Sequence, residues 1–403
     1  MQINKRGPID YANLFFCVTI VYASLIYLYN QTVVAYIGNP FNLASLLKYG
    51  LYFLLFFKVA PYLHGKISAK DLVVCFILVM AFLATQLNTY YYAPHVQTVF
   101  LDMLYKGLPC YLCAKLVHNS PRLNRYLRIS ACILLLEVTA KMFILQPGSM
   151  AEQYSQYDGF LMLTAMTLQF VPLVSEHRWY DFVLAGVLLL ITLLTGARGP
   201  FLIGVVLLAF SIYLLSRRSK HALVLYGVIA VFALVILLNL QKIFTLISTW
   251  FGASGSVRTI NGLLEKGIVQ MILSNSRIQL FLRAWEFIQN HLFIGCGVVN
   301  ERMILYNLVP GLPGDAIGDY PHNLFLEFGM QFGLVLGSIL SILLVWLIFR
   351  KYRQCKTEQG KLLLISLLFS GMVPLMISGS YLQWRMFFVL LGFITRSDAF
   401  EEE

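Results

Sequence analysis

The chain has 403 residues, 59% of them hydrophobic and only 12% charged, with a formal net charge of +11 at pH 7. Soluble domains carry about twice that share of charge, and a mean hydropathy of +0.74 excludes a soluble globular protein in favour of one that crosses a membrane repeatedly. The basic residues are spread between apolar runs rather than gathered in a patch, which excludes nucleic acid as the partner and points to membrane topology.

Apolar runs of bilayer-spanning length are predicted at 10–30, 43–63, 71–87, 98–117, 129–146, 158–175, 179–195, 200–215, 222–240, 322–349, 362–378 and 383–395. The fold class is therefore an all-α integral membrane protein with about twelve transmembrane helices. Lys5 and Arg6 precede the first run, and no small-residue cleavage site follows between Leu14 and Tyr29, so the first run reads as a retained span. With the N-terminus inside, Lys66, Lys70, Arg122, Arg125, Arg128, Arg178, Arg217, Arg218, Lys220 and the basic cluster from Arg350 to Lys361 all fall on one side. That distribution satisfies the positive-inside rule and places both termini in the cytoplasm. The opposite connections at 31–42, 88–97 and 147–157 contain no Lys or Arg.

The chain divides accordingly into helices 1–9 over 1–240, one long outer segment over 241–321, and helices 10–12 with a tail over 322–403. Charges inside spans are expensive unless paired or wet. Asp102 with Lys106, and Glu137 with Lys141, have the four-residue spacing of helical ion pairs. Lys48 has no local partner and is a candidate anion contact. The seven cysteines, at 17, 75, 110, 113, 132, 296 and 355, form neither a disulfide framework nor a metal set.

Three helix starts are predicted on the outer side. Arg198 lies in the turn Thr195-Gly-Ala-Arg-Gly-Pro200, directly before an apolar run. Ser276-Arg277-Ile278-Gln279 fits a capping box that opens an amphipathic helix near 276–294, with Ile278, Phe281, Leu282, Trp285 and Ile288 on one face and Gly295 and Gly297 as terminators. Such a helix suits the membrane surface. The third start is Pro321-His322, which places the imidazole on the first turn of the span 322–349, where the helix dipole favours a neutral ring. His322 is then either a general base or a polar cap. Gly329, Gly333 and Gly337 repeat every four residues as a helix-packing stripe. Guanidinium groups and free amides at helix starts favour an anion.

The combination of TGARGP around Arg198, SRIQLFLRAW with NHLFIGCG from Ser276 to Gly297, and PHNLFLEFGMQFGLVLG from Pro321 to Gly337 resembles the bacterial O-antigen polymerase and O-antigen ligase superfamily. The resemblance implies a metal-independent glycosyltransferase of the GT-C type, without cofactor, in the bacterial inner membrane, with the long outer segment in the periplasm. Donor and acceptor would be undecaprenyl-diphosphate-linked oligosaccharides amid membrane lipids, and a chain-length regulator is a further partner to expect. By the same resemblance Arg198 and Arg277 bind the diphosphate and His322 takes the acceptor proton, with Arg283, Arg385, Lys48, Asn323 and Glu327 as secondary candidates. The motif PHN with Glu four residues after Asn323 favours a polymerase, which extends a lipid-linked repeat unit, over a ligase, which transfers to lipid A–core. A lipid-linked oligosaccharide flippase is the alternative of another class.

Overall fold

Long runs of leucine, isoleucine, valine and phenylalanine must satisfy their own backbone within a bilayer, and helices do so residue by residue. The computed structural model describes residues 8–34, 38, 57–58, 68–85, 93–118, 120–145, 155–216, 276–308 and 320–396, and its regular structure is helical throughout. In chain order the helices are α1 (Pro8–Tyr29), α2 (Ala69–Thr85), α3 (Ala93–Asp102), α4 (Leu108–Lys115), α5 (Pro121–Ala140), α6 (Gln156–Glu176), α7 (Trp179–Leu194), α8 (Arg198–Ser216), α9 (Ser276–Asn290), α10 (Glu301–Leu308), α11 (Leu324–Phe332), α12 (Leu334–Gln354), α13 (Glu358–Gly371) and α14 (Arg385–Ile394).

Among the described residues, five stretches are long and apolar enough to cross a membrane: Asp10–Val34, Gln156–Glu176, Gly199–Ser216, Leu334–Gln354 and Glu358–Met376. The predicted spans 222–240 and, apart from Phe57 and Lys58, 43–63 lie outside the described residues. The span 322–349 is corrected. It is broken at Gly333, whose φ of +85° is open chiefly to glycine. The run 383–395 is corrected too, because α14 has ten residues and rises only about 15 Å, half of the hydrocarbon thickness.

The chain forms two compact units. The first comprises Met1–Ile20, Leu51–Leu123 and Ile272–Glu403. In it α11 and α12 make a tight hairpin about Gly333, with Gly337 pressed on the backbone of Phe328 and Gly329 and Gly329 pressed on Ile288 of α9. The break is closed by the loop after α9. The amides of Leu334 and Val335 donate to the carbonyls of His291 and Leu292 at 3.0 and 2.9 Å, and those of Cys296 and Gly297 donate to Met330 and Gln331 at 2.8 and 3.0 Å. Backbone groups freed at the end of α11 and the start of α12 are thus paired. Beneath them Leu280, Ala284, Phe287, Ile288, Cys296, Ile304, Leu305 and Met330 form one apolar core. The buried face of α9 is therefore Leu280, Ala284, Phe287 and Ile288. Of the predicted face, Leu282 and Trp285 are exposed, and the helix ends at Asn290.

At another end of this unit, Lys115 sits 2.5 Å from Asp71, Tyr111 donates to the same carboxylate, and Lys351 donates to the carbonyl of Arg396 at 3.1 Å. The second unit comprises Val21–Gly50 and Asn124–Met271, and its centre is α6, packed by α7 and α8. Arg128 ties its helices together, reaching Asp181 and Glu176 at 2.7 Å each. Asp102 and Lys106 form their predicted pair at 2.5 Å. Lys141, expected to pair with Glu137 on its own helix, places its ammonium on Asp158 of α6 at 2.8 Å.

Candidate active site around His322

The start of α11 is set by Asn323. Its backbone is extended, and its side-chain oxygen accepts from the amides of Phe325 and Leu326 at 3.0 and 3.2 Å, satisfying two of the donors left open at a helix N-terminus. This corrects the expected position of His322, which lies before the cap rather than on the first turn. A cap needs an acceptor with extended backbone, and asparagine supplies it better than the preceding proline-histidine pair. His322 has φ +52°, a left-handed conformation in which histidine is found more often than most residues. Its half-buried ring stands edge-on to Tyr320, centroids 4.5 Å apart.

Around these residues lies a buried polar cluster. The phenol oxygen of Tyr320 accepts from the amide of Gly379 at 2.9 Å, and the guanidinium of Arg302 lies over the Tyr320 ring at 5.4 Å. Arg302 donates to Gln383 at 2.9 Å and lies 3.9 Å from Glu301. Glu327, wholly buried on α11, accepts from the Ser380 hydroxyl and from the amide of Tyr381. Tyr381 in turn donates to Gln331 at 2.6 Å. Neither α10 nor α11 is long enough to span a bilayer. Burial, reinforced by the charge of Glu301, pushes the Glu327 carboxyl up to about 8, while burial opposed by Arg302 leaves Glu301 at about 6.

The other predicted residues divide. Arg198 is the first residue of α8 and Arg277 lies in the first turn of α9, as expected of helix starts, but the side chains of both lie outside the described part of the structure. Arg198 belongs to the second unit, Arg277 and His322 to the first. Arg283 makes an exposed pair with Glu286 at 2.8 Å and is a surface group. Arg385 opens α14, after Trp384, whose indole donates to the carbonyl of Ser370 at 2.7 Å. Lys48 lies outside the described residues.

The sequence patterns above do not single out Glu301, Arg302, Gln331 or Ser380 as parts of a site. The one signal was the adjacent Glu301-Arg302 pair in an otherwise apolar stretch, and a helix of eight residues shows too little periodicity to expose it.

Residues 183–341 match the family model described as O-antigen ligase. The match runs from α7 into α12 and takes in Arg198, Arg277, Arg302 and His322. It supports the polymerase and ligase superfamily as a whole, and with it a glycosyltransferase-like activity in a membrane. No curated protein matches the chain.

Proposed function

We propose that the chain is an O-antigen polymerase of the bacterial inner membrane, transferring an oligosaccharide from undecaprenyl diphosphate to the terminal hydroxyl of a lipid-linked repeat unit at the periplasmic face. The observation that carries the transfer chemistry is the family match over residues 183–341, a stretch that contains Arg198, Arg277 and His322, and the PHN motif with Glu327 four residues after Asn323 is what favours the polymerase. His322 takes the proton of the acceptor hydroxyl, and the oxygen forms a bond to the anomeric carbon. The bond from that carbon to the diphosphate breaks, and the electron pair leaves with the phosphate oxygen. Arg198 and Arg277 hold the charge that develops there, which fixed guanidinium groups do well. The left-handed backbone of His322 and the edge contact from Tyr320 support a ring held in one orientation. Transfer to lipid A–core by the same chemistry is the second reading, which the family match supports equally.

The test is transfer in vitro from purified lipid-linked donor by the purified full chain, with Arg198→Lys, Arg198→Ala and Arg277→Ala variants. Lysine brings charge without the planar bidentate fork, so all three are expected to lose activity. Wild-type turnover in both alanine variants would overturn the diphosphate role.

A further inference from the structure

Within the second unit, the turn that carries Arg198 rests on the first turn of α6. Ser155 caps α6, and its amide donates to the carbonyl of Thr195 at 3.4 Å. Ala197 accepts from Phe201 at 3.1 Å, which makes it the residue that launches α8, and it is itself 1% exposed. Opposite it lies Gly159. A β-carbon there would stand 2.2 Å from the β-carbon of Ala197, 3.2 Å from the Thr195 hydroxyl and 3.3 Å from the Pro200 ring. Carbon atoms in contact settle at about 3.5–4.0 Å, so any larger residue at 159 has to push Ala197, and Arg198 with it, by more than about 1 Å.

One helical position earlier, Asp158 holds the other side of this contact. It is wholly buried, accepts from the Ser155 hydroxyl, and binds the Lys141 ammonium with both oxygens, at 3.0 and 2.8 Å. Lys141 comes from the π-helical turn that extends α5. A buried carboxylate is tolerated when it is paired and hydrogen-bonded, and pairing across two helices fixes where the first turn of α6 lies against α5. The turn before α8 therefore has a floor, Gly159, whose own position is held by an ion pair.

We infer that Gly159 and the Lys141–Asp158 pair are positioning residues that seat the Arg198 turn and so set the enzyme's hold on its anionic donor. The inference rests on the proposed role of Arg198. A displacement of about 1 Å in a group that orients substrate can cost on the order of 10² in rate, whereas an alanine on an open helical position costs nothing comparable.

The experiment uses the full chain in proteoliposomes with purified lipid-linked donor, measuring kcat/KM for donor and KM for acceptor, with thermal unfolding as the fold control. Gly159→Ala is expected to lower donor kcat/KM by about tenfold or more and to leave acceptor KM unchanged. Because the clash is between two β-carbons, Gly159→Ala with Ala197→Gly should recover most of the loss. In an Arg198→Ala background, Gly159→Ala should add nothing, as expected for residues acting through one group. A Gly159→Ala enzyme with wild-type donor kinetics, a double variant no better than the single, or a Gly159→Ala loss of undiminished size on top of Arg198→Ala would each overturn the seat. Wild-type kinetics in Arg198→Ala itself would instead overturn the donor-binding role from which the inference starts.

Discussion

At the scale of single residues, His322 and Glu327 carry opposite kinds of constraint. His322 sits at φ +52°, a conformation that costs a non-glycine residue about 1–3 kcal/mol and persists where the surroundings over-determine it. The cap at Asn323 and the ring of Tyr320 are those surroundings. A positioned general base contributes on the order of 10²–10⁴ in rate, so His322→Ala should cut transfer below about a hundredth of wild type. His322→Asn, which tolerates the same backbone, should do the same while unfolding at the wild-type temperature. Turnover above about a tenth in either variant would make His322 a structural residue. Glu327 is constrained by burial. Its carboxyl is raised to about 8 in the folded chain, so between the ordinary carboxylate range and that value the folded state binds a proton that the unfolded state has lost. Stability therefore falls as pH rises through this window. Glu327→Gln removes the titration and keeps the shape. Melting of the purified protein between pH 5 and 9 should show a decline in wild type that is distinctly shallower in Glu327→Gln, and parallel curves would contradict the assignment.

At the scale of elements, the hairpin of α11 and α12 shows both what patterning reveals and what it hides. The apolar run from Leu324 onward was legible as helix, and the close packing of Gly329 and Gly337 follows from their small size and spacing. The break at Gly333 was not legible, since hydropathy registers no polar interruption there. The amides that a break exposes are paired with His291 and Leu292, carbonyls of a loop some forty residues earlier in the chain. A one-dimensional reading cannot see that compensation, and without it a break inside an apolar run looks too costly to propose. The same blindness displaced His322 from helix to pre-cap. Proline-histidine and histidine-asparagine both fit a helix start, and the preference of asparagine for the cap decides between them. Gly333→Ala tests the hairpin. Alanine disfavours positive φ, and its β-carbon would meet the backbone of Phe293 at 2.8 Å, so a loss of more than about 1 kcal/mol is expected. A variant melting within a degree of wild type would show that α11 and α12 tolerate a continuous helix.

At the scale of the whole molecule, the first unit gathers polar groups from distant parts of the chain. Asp71, Lys115, Lys351 and Arg396 are far apart in sequence, and in the first unit Lys115 pairs with Asp71 and donates to the carbonyl of Thr395, next to Arg396, whose carbonyl accepts from Lys351. The sequence had placed the flanking charges Lys70 and Arg350 on a single, cytoplasmic side by counting alone. Long helical runs are legible in the sequence, while sites built from eight- and nine-residue helices, such as the Arg302–Glu327 cluster, do not announce themselves. What separates the two acceptor choices is a phenotype rather than a residue, because polymerase and ligase share donor, leaving group and base. If the chain is a polymerase, its loss leaves the repeat unit made, flipped and available to a separate ligase. Deletion of the gene should then yield lipopolysaccharide with a single repeat unit on the core. Loss of a ligase would leave bare core while polymer accumulates on the lipid carrier, and loss of a flippase would leave bare core with no periplasmic polymer. Gel analysis of lipopolysaccharide, together with the carrier-linked glycans of the same cells, distinguishes all three. Complementation by wild type but not by His322→Ala would tie the single-repeat phenotype to transfer chemistry at α11, whereas bare core with accumulated polymer would assign the acceptor to lipid A–core.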